Sequence, residues 1–512
     1  MNKENAMKKT LCLILAALML SSSFVSCSDN KAENTPDDTA PAADTTPTAV
    51  PDAETEPETV EKISDDLPEI TFDGHEYIIY NSNPETNTWY TTVHVTFEED
   101  TGEPITSAIF YRNIAVEDRF DIKITEIEHT AAEAKAVITA GTAEDMDLVL
   151  LDGGEAIGLI QGKMVYDYNT VNYINLDKPY WDQNARKYLS MAGKYYGGVG
   201  DFLTTTLDET VGLFFNRALL DAYQLEDPYE LVDNMKWTLD KFAEMGATVS
   251  NDTDGDGKFT DMDRYSLLGL RFNVYPMLIY GTGESYVKKD ENDAPYISIS
   301  TDRFVSAFEK IVDICHSDGD HFFYDADVRA NTMGLSNNHR VQEIMFPNDQ
   351  ALFWVECVCW ARELREMEED FGVVVPPMYD EAQGQYYSFH HGRFFGPQIP
   401  VTLTGESLDR CAIILEALNS HSTDTVLKAY YDVSLTNKIS RDEETGKHLD
   451  LIFDTLTYDT SIVYEIASID SGLYTMASEN KKDIASYAKK NQKVMKKQIE
   501  RIIENIASDD AE

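Results

Sequence analysis

The sequence predicts an α/β fold with a largely parallel sheet, in a chain long enough for two domains. Three observations predict it. Short apolar runs rich in β-branched and aromatic residues alternate with longer stretches whose apolar residues recur at helical spacing, the pattern of strands joined by helical crossovers. The region from Leu67 to Glu512 is well supplied with aliphatic and aromatic residues and exceeds the length of one typical domain. The residues ahead of it have a different composition and read as export and spacer segments.

The elements follow in order. Glu69–Tyr80 reads as two short strands around an Asp73-Gly74 turn. A helix is expected over Ile105–Phe120, a strand over Asp121–Ile127, a helix over Thr130–Thr142 and a buried strand over Asp147–Leu151. In parallel sheets ligands sit beyond the carboxyl ends of strands, and Asp152-Gly153-Gly154 lies at one such end. Glu209–Phe215 is a strand, Asn216 opens a helix, and Trp237-Thr238 precedes another that runs to about Thr248. Strands are expected at Tyr265–Leu270, Gln350–Trp354 and Gly372–Pro376. Helices are expected at Thr301–His316, near Asn338, and over Leu408–Asn419, Thr423–Tyr431 and Ser478–Ile506. No internal repeat is present.

At the N-terminus Lys3, Lys8 and Lys9 precede a short apolar core, Leu11–Leu20, which Ser21, Ser22 and Ser23 break. A membrane span needs about 20 apolar residues, so this run fits a signal peptide instead. Phe24-Val25-Ser26-Cys27 resembles a bacterial lipobox, with Phe24 where Leu is usual. The resemblance implies that residues 1–26 are removed and that Cys27 is lipidated. Residues 27–67 then form an acidic linker, because Ser28–Asp66 has no aromatic residue and holds twelve acids against two lysines. Such a segment buries too little apolar surface to offset its ordering entropy, and its like charges extend it.

The formal net charge of −49 excludes a nucleic-acid partner and docking on anionic lipid headgroups. Cys315, Cys357, Cys359 and Cys411 remain in the folded part and read mainly as small buried hydrophobes, with a single disulfide left open.

Five stretches, in order, resemble the extracellular solute-binding proteins of carbohydrate importers, the maltose-binding-like family. They are Asp147-Leu-Val-Leu-Leu-Asp152, Gly193-Lys-Tyr-Tyr-Gly197, Glu209-Thr-Val-Gly-Leu-Phe-Phe-Asn216, Trp237-Thr-Leu-Asp-Lys-Phe242 and Asp370-Phe-Gly-Val-Val-Val-Pro-Pro377. A sixth, Ile439-Ser-Arg-Asp-Glu-Glu444, resembles a segment frequent in a Gram-positive, gut-type branch. The resemblance implies a two-lobed, periplasmic-binding-protein-like α/β fold with a hinge of about three chain crossings. Lobe one would be 68–206 plus 373–420, and lobe two 207–372 plus 421–512. Asn81–Gly102 is longer and more polar than the family pattern, so the ligand is expected to differ.

Asp252-Thr-Asp254-Gly-Asp256-Gly257-Lys258-Phe-Thr260-Asp-Met-Asp263 has the spacing of an EF-hand calcium loop. Asp252, Asp254, Asp256, the Lys258 carbonyl, Thr260 and Asp263 are the candidate ligands of a structural Ca2+ that pins two helices of lobe two. Aspartate at the last position makes bidentate ligation less secure than glutamate would. A solvated acidic loop is the alternative.

Trp89, Tyr90, Trp181, Trp354 and Trp360 are candidates to stack on a sugar ring, and each is equally a candidate core residue; Trp237 is assigned to packing. Asp152 and Glu209 stand where the family's cleft carboxylates stand, ready to accept hydrogen bonds from sugar hydroxyls. Arg393 would suit an anionic ligand. His390-His391 lacks a third metal ligand at suitable spacing. No nucleophile elbow, His-Glu-x-x-His, P-loop or Gly-x-Gly-x-x-Gly occurs, and nothing singles out a glycosidase carboxylate pair among 91 acids.

The resemblance therefore implies a non-enzymatic monomer on the outer face of the cell membrane. It would capture a sugar or oligosaccharide between its lobes for the permease of an ABC importer. A lipid-tethered glycan-degrading enzyme and a calcium-dependent surface adhesin are the alternatives.

Overall fold

The computed structural model describes residues 63–82, 93–142, 146–329, 333–335, 338–367, 370–392, 396–436 and 443–507. All of them fall in one compact unit, Lys62–Glu512. Two sheets organise it. In the first, Leu148–Leu151 and Ile122–Glu128 flank His75–Asn81 in parallel, and Gly396–Gln398 adds an antiparallel edge beside Leu148–Leu151. Every residue of Leu148–Leu151 is buried, as a parallel strand covered by helices on both faces requires.

The second sheet is mixed rather than largely parallel. Thr210–Asn216 runs antiparallel to Ala351–Cys357, Phe371–Val374 and Ser388–His390. Tyr265–Gly269 runs parallel to Ala351–Cys357 and to Phe323–Asp325. The chain passes between the sheets three times: after Leu151, between His390 and Gly396, and between Gln398 and Leu456.

That connectivity moves the expected lobe boundaries. Residues 373–392 belong with the second sheet, because Phe371–Val374 and Ser388–His390 both pair with Thr210–Asn216. The segment from 421 to 436 stays with the first sheet, where Val426 and Tyr430 pack on Ile105 and Ile109 of the Pro104–Phe120 helix, and the chain rejoins the second sheet at Leu456–Thr457. The N-terminal boundary moves too. Asp65 pairs with Arg119 at 2.5 Å and Asp66 with Lys178 at 2.6 Å, so the last residues assigned to the linker are docked on the domain.

Local chemistry sets the helix starts. Thr130 and Glu133 form a capping box ahead of Ala131–Ala140. The side chains of Asn216, Thr238 and Thr301 accept the amides of Leu219, Lys241 and Phe304 at 3.0, 3.3 and 3.2 Å. Glu69–Phe72 forms no strand; the Phe72 amide instead donates to Phe120 O at 2.8 Å. Tyr275-Pro276-Met277 lies inside a buried helix, Arg271–Gly281, although an interior proline disfavours one. Helices at Glu443–Asp454 and Ile469–Ser478 were not signalled by the sequence, and the final helix begins at Ile484 rather than Ser478. All four cysteines are buried free thiols. Among the described residues no helix is long and apolar enough to cross a membrane.

Candidate functional site

A cleft of about 930 Å³ opens where strands of both sheets end. From the first sheet, Asp152, Gly154 and Glu155 follow the carboxyl end of Leu148–Leu151. From the second, Phe272 and Asn273 follow Tyr265–Gly269, Glu356 and Cys357 close Ala351–Cys357, and Phe389 and His391 lie at the end of Ser388–His390. Ser461 to Tyr474 supplies the remaining wall. Ligands of α/β proteins bind at such carboxyl ends because the loops and helix N-termini gathered there leave backbone and polar groups free to converge.

Asp152 is the N-cap of the Gly153–Gln161 helix, its Oδ1 accepting the Glu155 amide at 3.1 Å. Ser82 donates to Glu155 Oε2 at 2.7 Å. Across the cleft Glu356 is 1% exposed. Its Oε1 accepts from Asn273 Nδ2 and the Cys357 amide, both at 3.0 Å, and its Oε2 lies 3.2 Å from His339 Nδ1. Trp360 lies flat against the other side of this group, its ring 5.0 Å from that of His339 and 5° from parallel.

Glu465 and Ser468, also in the wall, take left-handed φ values of 48° and 51°, as Ala467 between them does at 53°. For non-glycine residues such conformations cost about 1 kcal/mol or more each and persist only where the surroundings fix them. Here the Ala467 amide donates to Gln498 Oε1 at 2.5 Å, so the C-terminal helix holds the strained segment in place. Asp470 is pushed up to about 7 by burial and by the charge of Asp459, against a lowering hydrogen bond from Tyr286.

Of the expected ligand residues, Asp152 and Trp360 line this cleft. Trp181 and Trp354 do not: each is 1% exposed, so neither offers a face to a ligand. The Trp181 indole donates to Glu416 at 2.9 Å, and that of Trp354 to Gln342 at 3.0 Å between the rings of Phe214 and Phe346. Both are core residues with satisfied N–H groups. Glu209 is fully buried at the crossing itself, where its carbonyl accepts the His391 amide at 3.2 Å, and it is not part of the cleft wall. Trp89, Tyr90, Arg393 and Cys27 lie outside the described residues. The sequence reading missed Asn273, Glu356, His339, His391, Glu465 and Asp470. The strand-end rule applied to Tyr265–Gly269 would have found the first.

The acidic loop lies apart from the cleft. Asp252, Asp254 and Asp256 bring one carboxylate oxygen each within 4.8 Å of one another, a spacing that fits a single divalent cation. Asp252 gathers the loop by accepting the amides of Gly255 and Gly257, both at 2.8 Å, and Gly257 takes the sharp turn at φ 78°. Asp263 does a different job: buried, it accepts the Thr253 amide at 2.9 Å, and the Thr260 amide and hydroxyl at 2.8 and 3.2 Å. Lys258 and Thr260 stay within the same turn. The loop joins the Leu239–Val249 helix to the Tyr265–Gly269 strand, so it does not link two helices as expected.

The same fold occurs in solved structures. UspC of M. tuberculosis aligns with TM-score 0.53 at 12% identity, over 83% of this chain and 100% of its own. UgpB from Mycobacterium tuberculosis, solved in complex with glycerophosphocholine, gives 0.51 at 16% identity over 84% and 99%. A cyclo/maltodextrin-binding protein complexed with maltotetraose gives 0.51 at 12% over 85% and 98%. The fold is theirs: two lobes of mixed α/β structure. No family model matches the sequence, and no curated relative does.

Proposed function

We propose that this chain is the substrate-binding component of an ABC importer, which captures a sugar or oligosaccharide between its two lobes and hands it to the permease. One observation carries the reading: a cleft of about 930 Å³, lined from the strand ends of both sheets, in a chain with the fold of a maltodextrin-binding protein. The volume lies at the upper end of the range for small-ligand sites and suits more than one sugar ring. Trp360, Phe272 and Tyr474 offer aromatic surface for C–H faces, while Asp152 and Glu155 accept from hydroxyls.

Three features extend the reading. Cys27 carries the lipid, and the acidic segment behind it holds the domain at the outer face of the cell membrane as a monomer. A structural Ca2+ is held by Asp252, Asp254 and Asp256, with the Lys258 carbonyl and Thr260 closing the loop. The chain is no enzyme, so incubation with oligosaccharides yields no product, whereas a glycan-degrading enzyme would shorten them. A thermal-shift screen against a glycan panel tests the whole proposal. Stabilisation by at least one glycan supports it, and silence across the panel overturns it.

A further inference from the structure

The cleft wall has an uneven chemistry. Five carboxyl groups line it, those of Asp152, Glu155, Glu356, Glu465 and Asp470, with Glu356 facing His339 and Asp470 pushed up to about 7 by burial and the charge of Asp459, and among the described lining residues there is no lysine or arginine. The nearby Arg271 guanidinium lies 5.6 Å from the Tyr474 ring and is held by Asp327 at 2.7 Å. His339 faces Glu356, and His391 lies beside Glu209 at 4.0 Å.

A second observation is independent of that count. Asn273 is 1% exposed and lines the cleft, and its Oδ1 has no hydrogen-bond partner. The orientation of its amide is fixed by chemistry, because the other end faces the acceptor-only carboxylate of Glu356 at 3.0 Å, so nitrogen must stand there and oxygen opposite. A buried acceptor left unpaired is costly, and its need is for a donor. The lining hydroxyls of Ser461, Ser468, Ser471 and Tyr474 leave it unpaired, and the carboxylate at the other end of its amide is that of Glu356, which also faces His339. Trp360, Phe272 and Tyr474 add ring faces, which attract a cation and have no preference for an anion.

We propose that the ligand of this cleft carries a protonated amine: it is an amino sugar with a free amino group, seated with its ammonium against Asn273 Oδ1 and the Glu356 carboxylate. An ammonium brings three donors and a positive charge to a wall with five carboxyl groups and no lysine or arginine among its described residues, which a hydroxyl answers only in part. An N-acetylated sugar loses the charge and most of the donors.

The inference rests on the importer reading, and calorimetry on the whole mature protein separates the two. The probes are di- and trisaccharides of glucosamine, their N-acetylated forms and the corresponding glucose oligosaccharides of the same linkage, measured in low and in high salt. The free amine should bind at least tenfold more tightly than either counterpart in low salt, and the advantage should shrink in high salt because charge attraction is screened. Glu356→Gln, which keeps the acceptor for Asn273 and removes the charge, should reduce the preference severalfold in protein that still binds the neutral sugars. Equal or weaker binding of the amines overturns the inference and leaves the importer reading standing, as does binding confined to neutral glycans of a wider panel. Silence from every glycan overturns both.

Discussion

His339 and Glu356 form an ion pair across the mouth of a strand end: Nδ1 stands 3.2 Å from a carboxylate oxygen, with the imidazole 31% and the carboxylate 1% exposed. Burial alone would lower the imidazole pKa, but the hydrogen bond and charge of Glu356 outweigh it and hold His339 above the usual histidine value. Trp360 covers the ring, so the pair, the indole and Asn273 make one unit.

The first prediction follows from that balance. A histidine whose folded pKa is raised adds stability that is fully present below its unfolded value near 6.5, and that stability disappears as pH rises through the folded pKa. Glu356→Gln leaves the burial and removes the compensating charge, so the His339 midpoint should fall below the parent's. An NMR titration of the ring protons reads it directly. A midpoint that does not move would show that Glu356 does not set the charge of His339.

The second prediction separates the two jobs of Asp152, which caps a helix and faces the cleft. Asp152→Asn keeps an oxygen for the Glu155 amide and should leave the unfolding midpoint nearly unchanged, while Asp152→Ala loses the cap at a cost of about 1 kcal/mol. Both should weaken binding of the best glycan about tenfold, since an unpaired buried group costs about 1–3 kcal/mol. Glu209→Ala, away from the wall, should cost stability rather than affinity. Unchanged affinity in both Asp152 variants removes that residue from the site.

How far the sequence reached can be traced at these same residues. Asp152 was legible because a fully apolar run ends there, and a run buried on both faces marks its own strand end. Glu356 was not, since Ala351–Cys357 continues Val355-Glu-Cys-Val358 with a charge inside an apolar run, and only pairing with Tyr265–Gly269 and Thr210–Asn216 shows where the strand stops. Trp181 and Trp354 look identical to Trp360 in sequence. Their burial depends on Glu416 and Gln342, which long-range folding brings to Trp181 and which a preceding helix brings to Trp354. The lobe boundary near residue 373 failed for a related reason: Asp370–Pro377 carries a resemblance in composition, while sheet membership is decided by hydrogen bonds to Thr210–Asn216.

The third prediction concerns Asp470. With its pKa pushed up to about 7 against an unfolded value near 3.9, the folded state keeps a proton that the unfolded chain releases. That contribution therefore favours folding at low pH and is lost as pH rises from about 4 to 7. Asp470→Asn removes it, so the loss of stability between pH 4 and 7 should be smaller in the variant than in the parent. Denaturant titrations at the two pH values measure both differences. Equal differences would mean that Asp470 ionises normally.

The fourth prediction concerns the anchor. Stable membrane attachment takes two or more acyl chains, which a diacylated Cys27 would provide. Cys27→Ala should move the protein from the membrane fraction to the medium. Continued membrane association in the variant would reject lipidation at this residue.

The last prediction concerns the acidic loop, where two classes of aspartate should behave differently. Asp252, Asp254 and Asp256 crowd their oxygens within 4.8 Å, an arrangement whose mutual repulsion a divalent cation relieves. At a hundredfold excess over its Kd, calcium bound only to the native state adds about 2.7 kcal/mol. Unfolding of the parent should therefore shift to higher denaturant with calcium relative to chelator, at unchanged slope. Asp254→Ala combined with Asp256→Ala should abolish the shift while leaving the chelated protein as stable as the parent, or slightly more so, because like charges are removed. Asp263→Ala should destabilise the chelated protein as well, since its carboxylate accepts from Thr253 and Thr260 whether or not a cation is present. A calcium shift that survives the double substitution would place the ion elsewhere, and no shift in the parent would leave the loop a hydrogen-bonded turn and nothing more.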